Sequence, residues 1–99
     1  MADATEDEPT VHDADDESRY VITAGHGEAG YAQYERLDRT VVFTHTVIDP
    51  AFEGQGMGSR LVKAALDDVR QRGERVVPQC AFVADYIRRH PAYADLVSH

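Results

Sequence analysis

The 99-residue chain has a single cysteine, Cys80, so no disulfide can form within it. It contains no C-x-x-C and no H-E-x-x-H spacing, which removes the usual zinc arguments, and no metal is expected. Nowhere does it offer the roughly 18 consecutive apolar residues of a membrane-spanning helix. Its first residues have neither the basic nor the apolar segment of a secretory signal. No membrane partner is expected, and the default expectation is a cytoplasmic protein. Lys and Arg are missing from residues 1–18, which hold eight of the eighteen acids. The remaining ten acids face ten Lys/Arg in residues 19–99, so the net charge of −8 lies in the N-terminal segment and the rest is neutral by count. A neutral body with an acidic extension is a poor match for a phosphate backbone, and nucleic acid is not expected as a partner.

With 42% hydrophobic and 28% charged residues, the composition is that of one small soluble domain. A like-charge block poor in apolar residues cannot bury enough surface to offset its ordering entropy. Residues 1–18 are therefore expected to form a disordered acidic tail, and residues 19–99 the folded domain.

From Tyr20 the pattern changes to short β-prone runs, "YVITA" (20–24), "EAGYAQYERL" (28–37) and "TVVFTHTVI" (40–48), which read as three strands. The connections "GHG" (25–27) and "DR" (38–39) are short enough for antiparallel hairpins. In the 40–48 run, alternation puts Val41, Phe43, His45 and Val47 on one face and Val42, Thr44, Thr46 and Ile48 on the other, so a central strand with two largely apolar faces is expected, ended by Pro50. Leu61, Val62, Ala65, Leu66 and Val69 then recur at helical spacing over about four turns, with Gly73 as the natural stop. "RVVP" (75–78) reads as a further strand parallel to the 40–48 run, since strand, helix and strand make a crossover unit. "AFVADYIRRH" (81–90) reads as a second helix ended by Pro91, with "PAYADLV" a final turn.

The stretch "AFEGQGMGSR" (51–60) sets three glycines at alternate positions directly before the first helix. Amides at a helix start are unpaired, carry the positive end of the dipole, and converge on an anion where no Cβ obstructs the approach. A P-loop needs Gly-Lys-Ser/Thr, and Gly58 is followed by Ser59, so that reading fails. A dinucleotide fingerprint starting at Gly54 needs a third glycine at Ser59 and also fails. The alternative to an anion loop is a tight strand-to-helix turn, for which one glycine normally suffices.

The strand end Ile48-Asp49-Pro50, followed by Glu53-Gly54-Gln55-Gly56-Met57-Gly58 opening a helix, resembles the signature of the GNAT superfamily of acyl-CoA-dependent N-acetyltransferases. The likeness covers roughly residues 20–97 and is nearest to the small stand-alone branch, chains of about a hundred residues with little beyond the CoA-binding half. It implies an α/β fold with an antiparallel β-meander running into a strand-helix-strand-helix unit in one mixed sheet. It also implies acetyl-CoA or coenzyme A as cosubstrate, with the pantetheine arm along Thr46, Val47 and Ile48 and the pyrophosphate on the amides from Gln55 to Ser59. Glu53 departs from the pattern, standing where that family usually has Gln or Arg, and sets a carboxylate beside the phosphates.

For the chemistry, His45 offers a base able to accept an amine's proton at neutral pH; its alternative is a hydrogen-bonded histidine of the sheet face. Cys80 starts a helix, where the dipole favours a thiolate, and in the resembling fold that strand end lies close to the thioester. It reads either as a nucleophile that carries the acetyl group or as a small buried hydrophobe. Tyr86 is expected to pack; the basic cluster Arg88, Arg89 and His90 reads either as a contact for the nucleotide phosphate of CoA or, as charge runs on helices usually do, as a face turned to water. The expectation is an N-acetyltransferase that moves an acetyl group from acetyl-CoA to an amine acceptor, a protein-borne amine among the candidates, as a monomer or weak dimer. The alternative is a non-catalytic CoA-binding or interaction module.

Overall fold

The computed structural model describes residues 8–25 and 27–98. A five-stranded sheet runs in the order β1-β2-β3-β4-β5, with β1 Thr10–Ala14, β2 Arg19–Ala24, β3 Gly27–Leu37, β4 Thr40–Ile48 and β5 Arg75–Pro78. The first four strands pair antiparallel as a meander, and β4 pairs parallel with β5 across the helix α1, Met57–Gln71. A second helix, α2, spans Ala81–Arg89, and a 3-10 segment covers Pro91–Leu96. This is the mixed sheet expected from the alternation of residues 20–48 and the strand-helix-strand order after it. Residue 26 of the expected "GHG" turn lies outside the described residues.

One sheet face carries the core. Tyr20, Ile22, Ala32, Tyr34, Val41 and Phe43 pack against Leu61, Val62, Ala65, Leu66 and Val69 of α1 and Val83, Tyr86 and Ile87 of α2. Helix α1 ends as its sequence predicts. Gly73 takes φ +71°, and the bonds Gly73 N–H to Arg70 O and Glu74 N–H to Val69 O close a Schellman motif. Beside β5, Val97 forms a parallel bridge with Val76, Ser98 N–H donates to Val76 O, and Arg75 Nη2 donates to Val97 O.

The expected disordered segment needs correction. Residues 1–7 lie outside the described residues, but Thr10–Ala14 form the edge strand β1, paired with β2 from Thr10↔Thr23 to Ala14↔Arg19, and Asp15–Glu17 make a 3-10 turn. The cause is electrostatic and distant in sequence. The Asp13 side chain, 8% exposed, accepts a hydrogen bond from Tyr34 Oη at 2.5 Å and pairs with Arg36 and Arg72 at 3.4 and 3.3 Å. Asp15 takes a further 2.8 Å bond from Arg36. Arg36 Nε lies 2.9 Å from Glu74 Oε2 but has no aligned acceptor. Burial, followed by the hydrogen bond to Asp13, holds the Tyr34 phenol well above its ordinary value. Burial and the bond to Asp68 do the same for Tyr20. Asp13 and Asp15 thus neutralise Arg36 of β3 and Arg72 just after α1, and the edge strand costs little charge repulsion.

The expected face assignment of the 40–48 run holds only in its first half. Gln33 pairs with His45 and Tyr34 with Phe43, so Thr44 has no partner on β3: β4 carries a bulge there. The Thr44 hydroxyl donates to Gln33 O at 3.2 Å. One extra residue reverses the alternation. Val41 and Phe43 face the helices, but beyond the bulge Thr46 and Ile48 take that side, while His45 and Val47 are exposed on the opposite one.

Candidate functional site

Strands β4 and β5 stay paired only from Thr40↔Arg75 to Phe43↔Pro78. The last link is Cys80 N–H donating to Phe43 O at 2.9 Å, after which the chain turns into α2. The half of β4 that holds Thr46, Val47 and Ile48 therefore has no strand neighbour on its β5 side among the described residues. Bulge and splay coincide at Phe43 and Thr44, which leaves a slot between the end of β4 and the start of α2.

Directly after that half-strand, Asp49 accepts a hydrogen bond from Ala51 N–H at 2.9 Å and opens a 3-10 turn over Pro50–Phe52. The chain then passes through Gly54 at φ +82° and Gly56 at φ +75°, both in the left-handed region where a side chain is strained, and both with open space where a Cβ would point. Gly56 is the N-cap of α1, no side chain caps this end, and the first bond into the helix is Arg60 N–H to Gly56 O at 3.1 Å. By helix geometry the amides of Met57, Gly58 and Ser59 then have no intrahelical acceptor. A groove of about 270 Å³ adjoins them, lined by Ile48, Phe52 and Phe82 together with the glycine loop. Free amides at a dipole's positive end, two glycines cleared of side chains and an adjoining apolar groove suit a phosphate joined to an apolar arm.

The third glycine plays another part. A Cβ at Gly58 would stand 2.6 Å from Phe82 Cζ, so Gly58 admits the aromatic ring rather than the anion. Glu53 is exposed and lines the same groove. Phe82 and Phe52 had no signal in the sequence beyond their apolarity.

Cys80 is 7% exposed and sits at the N-cap of α2, with its Sγ 3.4 Å from Thr46 Oγ1. The structure thus brings Cys80 to the unpaired half of β4. It does not bring His45 there: that imidazole stands exposed on the other face, edge-on to Tyr31 with ring centroids 6.1 Å apart. Tyr86 packs, stacked on His90 at 4.0 Å, and burial raises its phenol above the ordinary value. Arg88 and Arg89 are exposed and both pair with Asp85.

The profile of the family described as GCN5-related N-acetyl-transferase matches residues 19–96. The chain belongs to that family. Among curated relatives, the N-alpha-acetyltransferase RimI of Mycobacterium tuberculosis is 47% identical over 45 residues, which is 41% of this chain and 28% of that protein. Protein NATD1 of Xenopus tropicalis is 32% identical over 53 residues, 54% of this chain and 49% of that one. The matches therefore span half or less of each curated relative. A GCN5-like protein from Staphylococcus aureus superposes with a TM-score of 0.67 at 20% identity, over 95% of this chain and 90% of that one. The ribosomal-protein-S18-alanine N-acetyltransferase of Escherichia coli does so with a TM-score of 0.56 at 18% identity, over 74% and 44%. At such identities the superpositions speak for the fold, and the GNAT resemblance read from residues 48–58 is supported independently by the profile match.

Proposed function

We propose that this GCN5-related chain transfers an acetyl group from acetyl-CoA to an amine acceptor. The observation that carries the reading is the continuity of three parts: the unpaired half of β4 (Thr46, Val47, Ile48), the apolar groove, and the free amides of Met57, Gly58 and Ser59. The pyrophosphate rests on those amides, flanked by Glu53, Gly54, Gly56, Met57 and Gly58. The pantetheine arm leaves between Ile48 and Phe82 and runs along β4, which carries the thioester to the slot beside Cys80.

Cys80 serves as acyl carrier in this proposal. Its thiolate attacks the thioester carbonyl, the bond to the CoA sulfur breaks, and the departing CoA thiolate takes a proton from water. A neutral amine then attacks the Cys80 thioester, the carbon-sulfur bond breaks, and the Cys80 thiolate returns. The proton lost by the amine passes to water, because His45 stands on the opposite sheet face from Cys80. An acceptor held on a protein surface suits a slot reached from an open face.

The deciding experiment is a calorimetric titration with CoA and acetyl-CoA, using Gly56→Asp as the comparison. The substitution puts a carboxylate beside the free amides and strains a left-handed position. The expected result is saturable binding to the native chain and none to the variant, with the circular dichroism of a folded protein in both. Binding that survives Gly56→Asp overturns the placement of the pyrophosphate, and no binding to the native chain overturns the reading itself.

A further inference from the structure

Phe82 is 44% exposed although it lies in the first turn of a helix that packs on the core. Its neighbours explain the position. Val83, Tyr86 and Ile87 are the buried residues of α2 and fix which face meets the sheet. Phe82 is one residue off that face, so core packing does not require an aromatic there. The α2 start is held by the bond from Cys80 N–H to Phe43 O, and the ring lies against Gly58, where only a residue without a Cβ allows so close an approach. In a helix the Cβ direction at Gly58 leads away from the axis and tilts toward the N-terminal end, the end at which the free amides point. The ring therefore walls the groove beside its anion-binding floor. Ile48 and Phe52 line the same groove.

Resting on the acyl-CoA reading above, we infer that Phe82 determines ligand specificity: its ring packs against the apolar arm of the ligand where that arm leaves the diphosphate, and so selects an arm-bearing thioester carrier over a bare nucleoside diphosphate. The amides hold any diphosphate. The aromatic wall gains contact only when an apolar chain follows the phosphates, because only then is its exposed surface removed from water. ADP presents the same adenosine and a diphosphate like that of CoA, and a floor of amides that holds the diphosphate alone would discriminate poorly between them.

The test measures binding of CoA and of ADP to the native chain and to Phe82→Ala, by calorimetry. Loss of the wall is expected to weaken CoA about tenfold and to leave ADP within about twofold. Phe82→Trp adds a second readout, since the chain has no other tryptophan: its emission should shift on addition of CoA and stay unchanged with ADP. If circular dichroism shows that the alanine variant fails to fold, Phe82→Leu replaces it, with a smaller loss for CoA alone. Equal weakening of both ligands, or of neither, overturns the assignment, as does an indole signal indifferent to CoA. Absence of CoA binding to the native chain is a different result, because it removes the acyl-CoA reading and this inference with it.

Discussion

Tyr34 of β3 donates its phenolic hydrogen to Asp13 of the edge strand at 2.5 Å, and Arg36, two residues further along β3, closes the same cluster. The pair ties the acidic N-terminal segment to the centre of the sheet. Removing the Asp13 carboxylate would leave the buried phenol with only its longer, 3.2 Å bond to Asp15, and part of a guanidinium charge without its partner. Asp13→Ala is expected to lower stability by about 2 kcal/mol, less than a fully buried pair because Asp15 and Glu74 still face Arg36. Urea unfolding at neutral pH measures it, and deletion of residues 1–18 should cost at least as much. An unchanged midpoint in both would mean that β1 contributes nothing to the fold.

The tyrosines set a pH limit. Tyr20 and Tyr34 have phenols raised well above their ordinary value, chiefly by burial and then by their bonds to Asp68 and Asp13. A raised acid is protonated more firmly in the folded state, so its contribution is complete below the unfolded value and is lost as pH rises beyond it. Stability to urea is therefore expected to fall from about pH 10 upward. The ultraviolet tyrosinate signal of these two should appear only with unfolding. A midpoint flat through that range, or early ionisation of all five tyrosines in the folded chain, would contradict the arrangement.

The Thr46 hydroxyl lies 3.4 Å from the Cys80 sulfur. Intact mass after treatment with acetyl-CoA should show one acetyl adduct, absent in Cys80→Ser. Thr46→Val should slow adduct formation about fivefold, the worth of one hydrogen bond, with CoA affinity unchanged. An adduct that persists without Cys80 removes the thiol from the mechanism.

Glu53 carries a negative charge into the groove proposed to hold phosphates. Because it is exposed, solvent screens it, and Glu53→Gln is expected to tighten CoA only about two- to fivefold at low salt, with the gain shrinking as salt rises. Equal affinity at every ionic strength would place the carboxylate's influence outside the site.

Much of this fold was legible in the sequence for reasons that are local. Alternation and turn residues marked β2 to β5, the 3.6-residue repeat of Leu61 to Val69 marked α1, and Gly73 marked its end. The glycine loop was legible because its chemistry is carried by backbone at consecutive positions. Three features depended on distant partners. β1 was hidden because counting acids in residues 1–18 says nothing of Arg36 and Arg72, which neutralise them only once the sheet has formed. The bulge was hidden because Thr44 is as good a strand residue as its neighbours, and its consequence, the opposite faces of His45 and Thr46, followed from register alone. Phe82 was hidden because its role depends on how closely the start of α2 approaches Gly58.

The two margins of the sheet are unlike each other. Beside β5, Val97 and Ser98 are laid against Val76, whereas β1 ends the sheet on the other side with Asp13, Asp15 and Asp16 at or near its end. Strand-by-strand growth into fibrils from β1 would meet a strand of only five residues that runs straight into the exposed Asp15 and Asp16. A short edge with charge at its end gives an incoming strand little to pair with, so the segment that completes the sheet also closes that side to further copies.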